Sequence, residues 1–201
     1  AVGGAERVVS LLAQHLDRTR FVPLVACLNE PGVLATSLEA SGVRVIALRK
    51  RGALDVRVLW RLIRLIRQER IEVVHTHLWG ANLWGRLAAW WTRRPVIATE
   101  HNIDDWKPRG YFAIDRWLAR HTAKLITVSD QVGAFYQGRG IPAALCQTIH
   151  NGIETGTLPA PSRSTLYDTL GWPDHTPVVA AISRLVEAKN LGLFLEVMAE
   201  V

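Results

Sequence analysis

The chain has 201 residues, 49% of them hydrophobic, and a formal net charge of +6. That apolar content excludes a disordered chain and suits one sizeable α/β domain, or one domain and the start of another, while no apolar run approaches the ~18 residues a membrane-spanning helix needs. The isoelectric point near 9.9 directs attention to an anionic partner: a phosphorylated substrate, anionic lipid or nucleic acid.

Gly3-Gly4 opens the readable pattern, and a helix follows with Val8, Val9, Leu11, Leu12 and Leu16 on its buried side. Two glycines ahead of a helix let the backbone approach a ligand, and the helix N-terminus favours an anion; a plain tight turn would read the same way. An α/β unit normally has a strand before such a loop. None is present and there is no initiating Met, so we expect that the first strand and the natural N-terminus lie upstream. No signal peptide is visible. Residues 21–28 read as a strand, 33–40 as a short helix and 43–48 as the next strand, followed by the basic loop Arg49-Lys-Arg-Gly52. Residues 55–70 form an amphipathic helix with Leu59, Leu62, Ile63 and Ile66 on one face. Arg57, Arg61 and Arg64 line the other. That stripe is either a solvated face or, with Trp60 at its boundary, a surface for acidic lipid.

Residues 71–77 are a strand ending in His75-Thr-His77, and a helix covers 79–91. Of the eight Trp, Trp84, Trp90 and Trp91 stand beside Arg86, Arg93 and Arg94. They either fill core or suit a lipid headgroup boundary. Residues 95–99 are a strand ending at Glu100-His101-Asn102. A loop follows, then a helix over 111–121 with Ile114, Trp117 and Leu118 expected inward. Strand 124–128 leads to Ser129-Asp130, a helix cap, and strand 144–149 ends in His150-Asn-Gly152. A linker rich in Pro, Gly, Ser and Thr runs over 155–164, and a short helix over 165–170. Residues 178–182 read as the first strand of a new sheet, and 191–201 as its first helix. Cys27 and Cys146 are isolated and read as free thiols in a reducing cytoplasm.

The alternation of strands and helices gives βαβ units and a mostly parallel, Rossmann-like sheet flanked by helices. The expected organisation is a first domain over 1–154, an interdomain segment over 155–176, and the start of a second domain over 177–201. Ligands of such sheets bind beyond the carboxyl ends of the strands. His75, His77, Glu100, His101, Ser129, Asn151 and Gly152 all fall there. Ser129 lacks the flanking glycines of a nucleophile elbow. No Cys or carboxylate completes a zinc set with the three histidines, so no metal is expected. Arg184 and Lys189 follow the apolar run 178–182 and suit a phosphate.

Taken together the chain resembles the family 4 glycosyltransferases of the GT-B fold. The resemblance rests on Gly3-Gly-Ala-Glu6, Val73-Val-His-Thr-His77, Ala98-Thr-Glu-His101, Ile126-Thr-Val-Ser129, His150-Asn-Gly-Ile153 and Ser183-Arg-Leu-Val-Glu-Ala-Lys189, in that order. Two departures stand in the last motif: Ser183 and Asn190 occupy positions where the family usually has Gly. The resemblance implies two Rossmann-like domains facing a cleft and transfer of a sugar from a nucleotide sugar, UDP- or GDP-linked, with retention of configuration. It implies no metal and no cofactor beyond that co-substrate. Arg184 and Lys189 would hold the donor diphosphate, with Gly3 and Gly4 opposite them. His101 would act beside the transferred sugar, with His75, His77, Glu100, Ser129, Asn151 and Gly152 on the acceptor side. The acceptor would be lipid-linked or a saccharide, at the cytoplasmic face of a membrane. The family's paired glutamates of the second domain would lie beyond Val201, so the chain as it stands is expected to lack turnover. Two alternatives remain: a nucleotide-sugar epimerase of the same fold, and a non-catalytic basic module on anionic lipid. No recognition helix or RNA-binding aromatic motif points to nucleic acid.

Overall fold

The computed structural model describes residues 3–52, 55–153, 164–173, 176–183 and 185–200. They fall in two compact units, Ala1–Ile153 and Glu154–Val201.

In the first unit the elements alternate as the sequence pattern requires: α1 (Gly4–His15), β1 (Leu24–Cys27), α2 (Leu34–Ala40), β2 (Arg44–Ala47), α3 (Arg57–Gln68), β3 (Val74–His77), α4 (Trp79–Thr92), β4 (Val96–Glu100), α5 (Arg109–Ala119), β5 (Lys124–Thr127), α6 (Asp130–Gly138) and β6 (Cys146–Thr148). Every strand pairing is parallel. The strands form two sheets, β1-β2 and β3-β4-β5-β6. Strand β4 lies between β3 and β5, and its Val96, Ala98, Thr99 and Glu100 are all buried. That near-continuous burial is what a parallel strand covered on both faces shows.

Helix α3 turns Val58, Leu62, Ile63 and Ile66 inward, because these positions repeat at three and four residues. They pack with Leu48, Trp84 and Ala88, and with the partly buried Leu28 and Val74. Full burial of each large aliphatic side chain contributes about 1.5–3 kcal/mol. Helix α4 approaches β3 closely at Gly85, where any Cβ would collide with the Thr76 methyl. Helix α4 ends at Arg93 in the left-handed region, φ 56°, and the Arg94 amide reaches back to the Ala89 carbonyl at 2.9 Å. That closes the last turn and leaves both arginines exposed.

Two expectations need correction, and one pair of alternatives is decided. Helix α5 buries Phe112, Asp115, Leu118 and Ala119; Ile114 and Trp117 point outward, 41% and 38% exposed. Of the two readings of the Trp and Arg cluster, core filling holds for Trp84 and Arg86, while Trp90 and Trp91 are exposed. Arg61 is not a free surface cation, since its Nη1 donates to the Leu48 and Arg49 carbonyls at 2.6 and 3.0 Å.

The second unit contains α7 (Ser164–Leu170) and α8 (Leu191–Ala199). Tyr167 donates to the Thr176 carbonyl at 2.6 Å and meets Trp172 edge-on. The strand expected over 178–182 does not form. Ile182 is 98% exposed, and among the described residues of this unit there is no strand with which its backbone groups could pair.

Candidate functional site

The site stands where β3 and β4 end. Side chains alternate across a strand, so His75 and His77 share one face, and Thr99 and His101 share the same face of the neighbouring strand. The register, His77 beside Thr99, brings the rings together. His77 Nδ1 and His101 Nε2 are 3.1 Å apart and share one proton as donor and acceptor. His75 Nε2 lies 2.8 Å from the Thr99 hydroxyl, and its ring stacks on His77 with centroids 4.2 Å apart.

These rings are neutral at physiological pH. Burial, then the neighbouring His75 and His101, pushes His77 down to about 3. Burial, then His101, lowers His75 in the same direction. Burial also lowers His101, but the Glu6 carboxylate opposes it. Glu6 sits in the first turn of α1, so its field ties the helix start to the end of β4. That start has Gly3 as N-cap with no side-chain cap, which leaves first-turn N–H groups for another acceptor. A Cβ on Gly3 would press against Glu6 Oε2 at 2.5 Å, and the glutamate side chain would have to shift to admit it.

Between β3 and α4 the chain turns at Leu78, φ 70°. A non-glycine residue in that region stores about 1–3 kcal/mol of strain. The conformation starts α4 directly after His77 and lets the Asn82 amide reach the Leu78 carbonyl at 2.8 Å.

Glu100 is not on the open rim. It faces the opposite side of β4 from His101 and is 2% exposed. Burial raises its carboxyl to about 7 against the pull of Lys107. Around it lies a buried polar network that the sequence reading missed. Arg86 donates to Thr122 Oγ1, Asp115 Oδ1 and the Asp115 carbonyl at 3.0–3.2 Å. Lys107 pairs with Asp104 at 2.8 Å and donates to the Tyr136 hydroxyl at 3.1 Å. Tyr136 in turn donates to Asp104 at 3.0 Å. Asp104 and Lys107 belong to the loop after His101. They anchor it inward, leaving Ile103 and Trp106 exposed. Trp106 and Tyr111 each meet Trp79, the first residue of α4, edge-on.

The other expected positions are separate. The Ser129 hydroxyl accepts from the Val132 amide at 3.2 Å and caps α6. Asn151 and Gly152 are exposed in the segment after β6. Lys189 is exposed in the second unit, closing a short 3-10 turn over Glu187–Lys189. Arg184 lies outside the described residues. Asn190 takes φ 45°, a left-handed conformation that glycine adopts freely and asparagine tolerates. That accounts for Asn in place of the usual Gly. No group of three or more His, Cys, Asp or Glu among the described residues is arranged to hold a metal ion.

Comparison with known proteins agrees with this architecture. A curated relative, alpha-maltose-1-phosphate synthase of Mycolicibacterium smegmatis, is 30% identical over 143 residues, covering 62% of this chain and 36% of that protein. Among solved structures, HepE of Anabaena in complex with UDP-glucose superposes with a TM-score of 0.71 at 22% identity, covering 85% of this chain and 47% of that one. A glycosyltransferase from Rickettsia africae gives 0.75 at 18% identity, covering 92% and 50%. The chain thus spans half or less of the length of these relatives. The model of Glycosyltransferase Family 4 matches residues 2–157. The strands, the histidine-bearing ends of β3 and β4 and the glycine-led helix all fall in that stretch, and the chain belongs to glycosyltransferase family 4.

Proposed function

We propose that the protein is a retaining glycosyltransferase. It moves a hexose from a UDP- or GDP-linked donor to a lipid-linked or saccharide acceptor, in assembly of a cell-surface polysaccharide or glycolipid. The work is done in the cytoplasm, with peripheral contact to a membrane. The observation that carries the reading is the set of neutral imidazoles at the ends of β3 and β4, under the field of Glu6 from the glycine-led start of α1. Family membership, and a relative solved with UDP-glucose, support the donor class.

In this reading Gly3 and Gly4 offer backbone N–H groups to the donor diphosphate. Arg184 and Lys189 oppose the charge that grows on the departing nucleoside diphosphate as the bond from anomeric carbon to phosphate oxygen breaks. His101 holds the sugar or acceptor hydroxyl by hydrogen bonding, and His77 fixes its tautomer. Neutral rings suit a site that already receives an anion, because they orient hydroxyls without binding the diphosphate in the wrong place. No further cofactor is required. The test is incubation of the whole protein with UDP- and GDP-hexoses and a panel of acceptors. Nucleoside diphosphate should be released, and the product's anomeric proton should report the donor's configuration. Inversion, or no release from any donor, refutes the proposal.

A further inference from the structure

Three helices of the first unit present one continuous aromatic surface. Trp60 of α3 meets Trp91 of α4 edge-on, with centroids 5.7 Å apart. Trp91 meets Trp90 at 6.3 Å, Trp90 meets Trp117 of α5 at 5.2 Å, and His121 lies against both Trp90 and Trp117. These four tryptophans are 38–59% exposed, and Ile114 beside Trp117 on α5 is 41% exposed. Single exposed apolar residues need no explanation, but a contiguous patch of this kind marks an interaction surface.

The patch is framed by cations. A groove of about 510 Å³ is lined by Trp90, Trp91, Arg93, Arg94 and His121. A second, of about 580 Å³, is lined by Trp60, Arg61, Ile63, Arg64, Arg67 and Gln68. Among the described residues, no carboxylate lines either groove. Among the described residues, Arg64, Arg67, Arg93 and Arg94 pair with no carboxylate. The close of α4 at Arg93 is what turns Arg93 and Arg94 out beside Trp90 and Trp91.

We infer that this face docks on an anionic bilayer, with the indoles at the headgroup boundary and the four arginines on lipid phosphates. The inference rests on the peripheral membrane contact proposed above and assigns it a surface. Indole is amphipathic and concentrates at the membrane interface, while guanidinium groups gain from the negative surface potential. A second copy of the chain is a poorer occupant, because a two-fold contact through this patch would set arginines against arginines. The surface is also distinct from the site. Helices α4 and α5 run back from the histidine-bearing strand ends, so Trp90, Trp91, Trp117 and His121 lie toward the edge where β4 and β5 begin.

The test uses vesicles of phosphatidylcholine with and without phosphatidylglycerol. The 201-residue chain should sediment with the anionic vesicles only, and high salt should release it. Its tryptophan emission should be quenched by lipids brominated near the headgroup. Reversing Arg64, Arg67, Arg93 and Arg94 together to Glu should lower partitioning about tenfold or more with an unchanged circular dichroism spectrum. Trp90→Ala with Trp91→Ala should weaken quenching and binding together. Equal partitioning onto neutral vesicles, no sedimentation at all, or full binding by the charge-reversed variant overturns the inference. So does a self-associated species in ultracentrifugation that buries these tryptophans. Donor turnover by the whole protein is measured separately on a soluble acceptor. Loss of docking with turnover intact in the charge-reversed variant separates this surface from the transferase reading.

Discussion

Replacing Arg86 with Met isolates one buried charge contact behind the site. The guanidinium is 2% exposed and its partner carboxylate 10%. Arg86 supplies both the ion pair to Asp115 and a second hydrogen bond to its carbonyl. Without it, Asp115 retains only Lys107, at 3.7 Å from Oδ2, and Oδ2 already lacks a hydrogen-bond donor among the described residues. Thr122 loses one donor, but its hydroxyl still bonds the Leu118 carbonyl. The cost is therefore concentrated on one stranded carboxylate, about 3–5 kcal/mol for a broken buried pair. With a urea slope of about 2 kcal/mol per molar, the midpoint should fall by about 2 M. Removing the carboxylate as well, with Asp115→Leu in the same chain, should recover much of the loss, since Lys107 still has Asp104 and Tyr136. Urea titrations followed by tryptophan fluorescence and circular dichroism give both numbers. A single Arg86→Met variant within about 1 kcal/mol of the unaltered protein, or a double variant worse than the single, would refute the reasoning.

Two more predictions follow from packing and titration. His77 has a folded-state value of about 3 against an ordinary 6.5, so the unfolded chain takes up a proton that the folded one refuses. Stability from this group is complete above the ordinary value and is lost as pH falls from there toward about 3. His77→Gln should therefore flatten the decline of the urea midpoint between about pH 7 and about pH 5; parallel curves for the two proteins would contradict the assignment. At Gly85 a methyl group meets Thr76, whereas at Gly138, the last residue of α6, a Cβ meets nothing. Gly85→Ala should destabilise by about 1–3 kcal/mol through overpacking, and Gly138→Ala should stabilise by about 0.5–1 kcal/mol through backbone entropy. Thermal melts showing the same sign for both would sink that distinction.

The order of elements was readable because each strand and helix of the first unit carries its own period. The shared face of His75, His77 and His101 follows from the same alternation, once β3 and β4 are neighbours. Alternation also sends Glu100 inward with Ala98; its position at a strand end gave no hint of that. Helix α5 misled for a different reason. Its inward face contains Asp115, a residue that burial ordinarily excludes, and the partner that makes burial tolerable stands 29 residues away on α4. Trp117 is the larger apolar residue and looked like core, but it belongs to the exposed aromatic surface. The segment over 178–182 has strand composition, yet a strand exists only when a neighbour takes its hydrogen bonds. The network around Lys107 left no short-range signal either, because Asp104, Asp115 and Tyr136 come from a loop and two different helices.

The central claim is that the ends of β3 and β4 form the reaction site of a nucleotide-sugar transferase. Nucleoside diphosphate release by the whole protein, compared with its His101→Ala variant at saturating donor, tests it most directly. Turnover should fall about 100-fold or more while donor affinity changes little, as expected when a group acts on the reacting sugar and acceptor rather than on the diphosphate. Turnover of the variant within about twofold of the unaltered protein would contradict the claim.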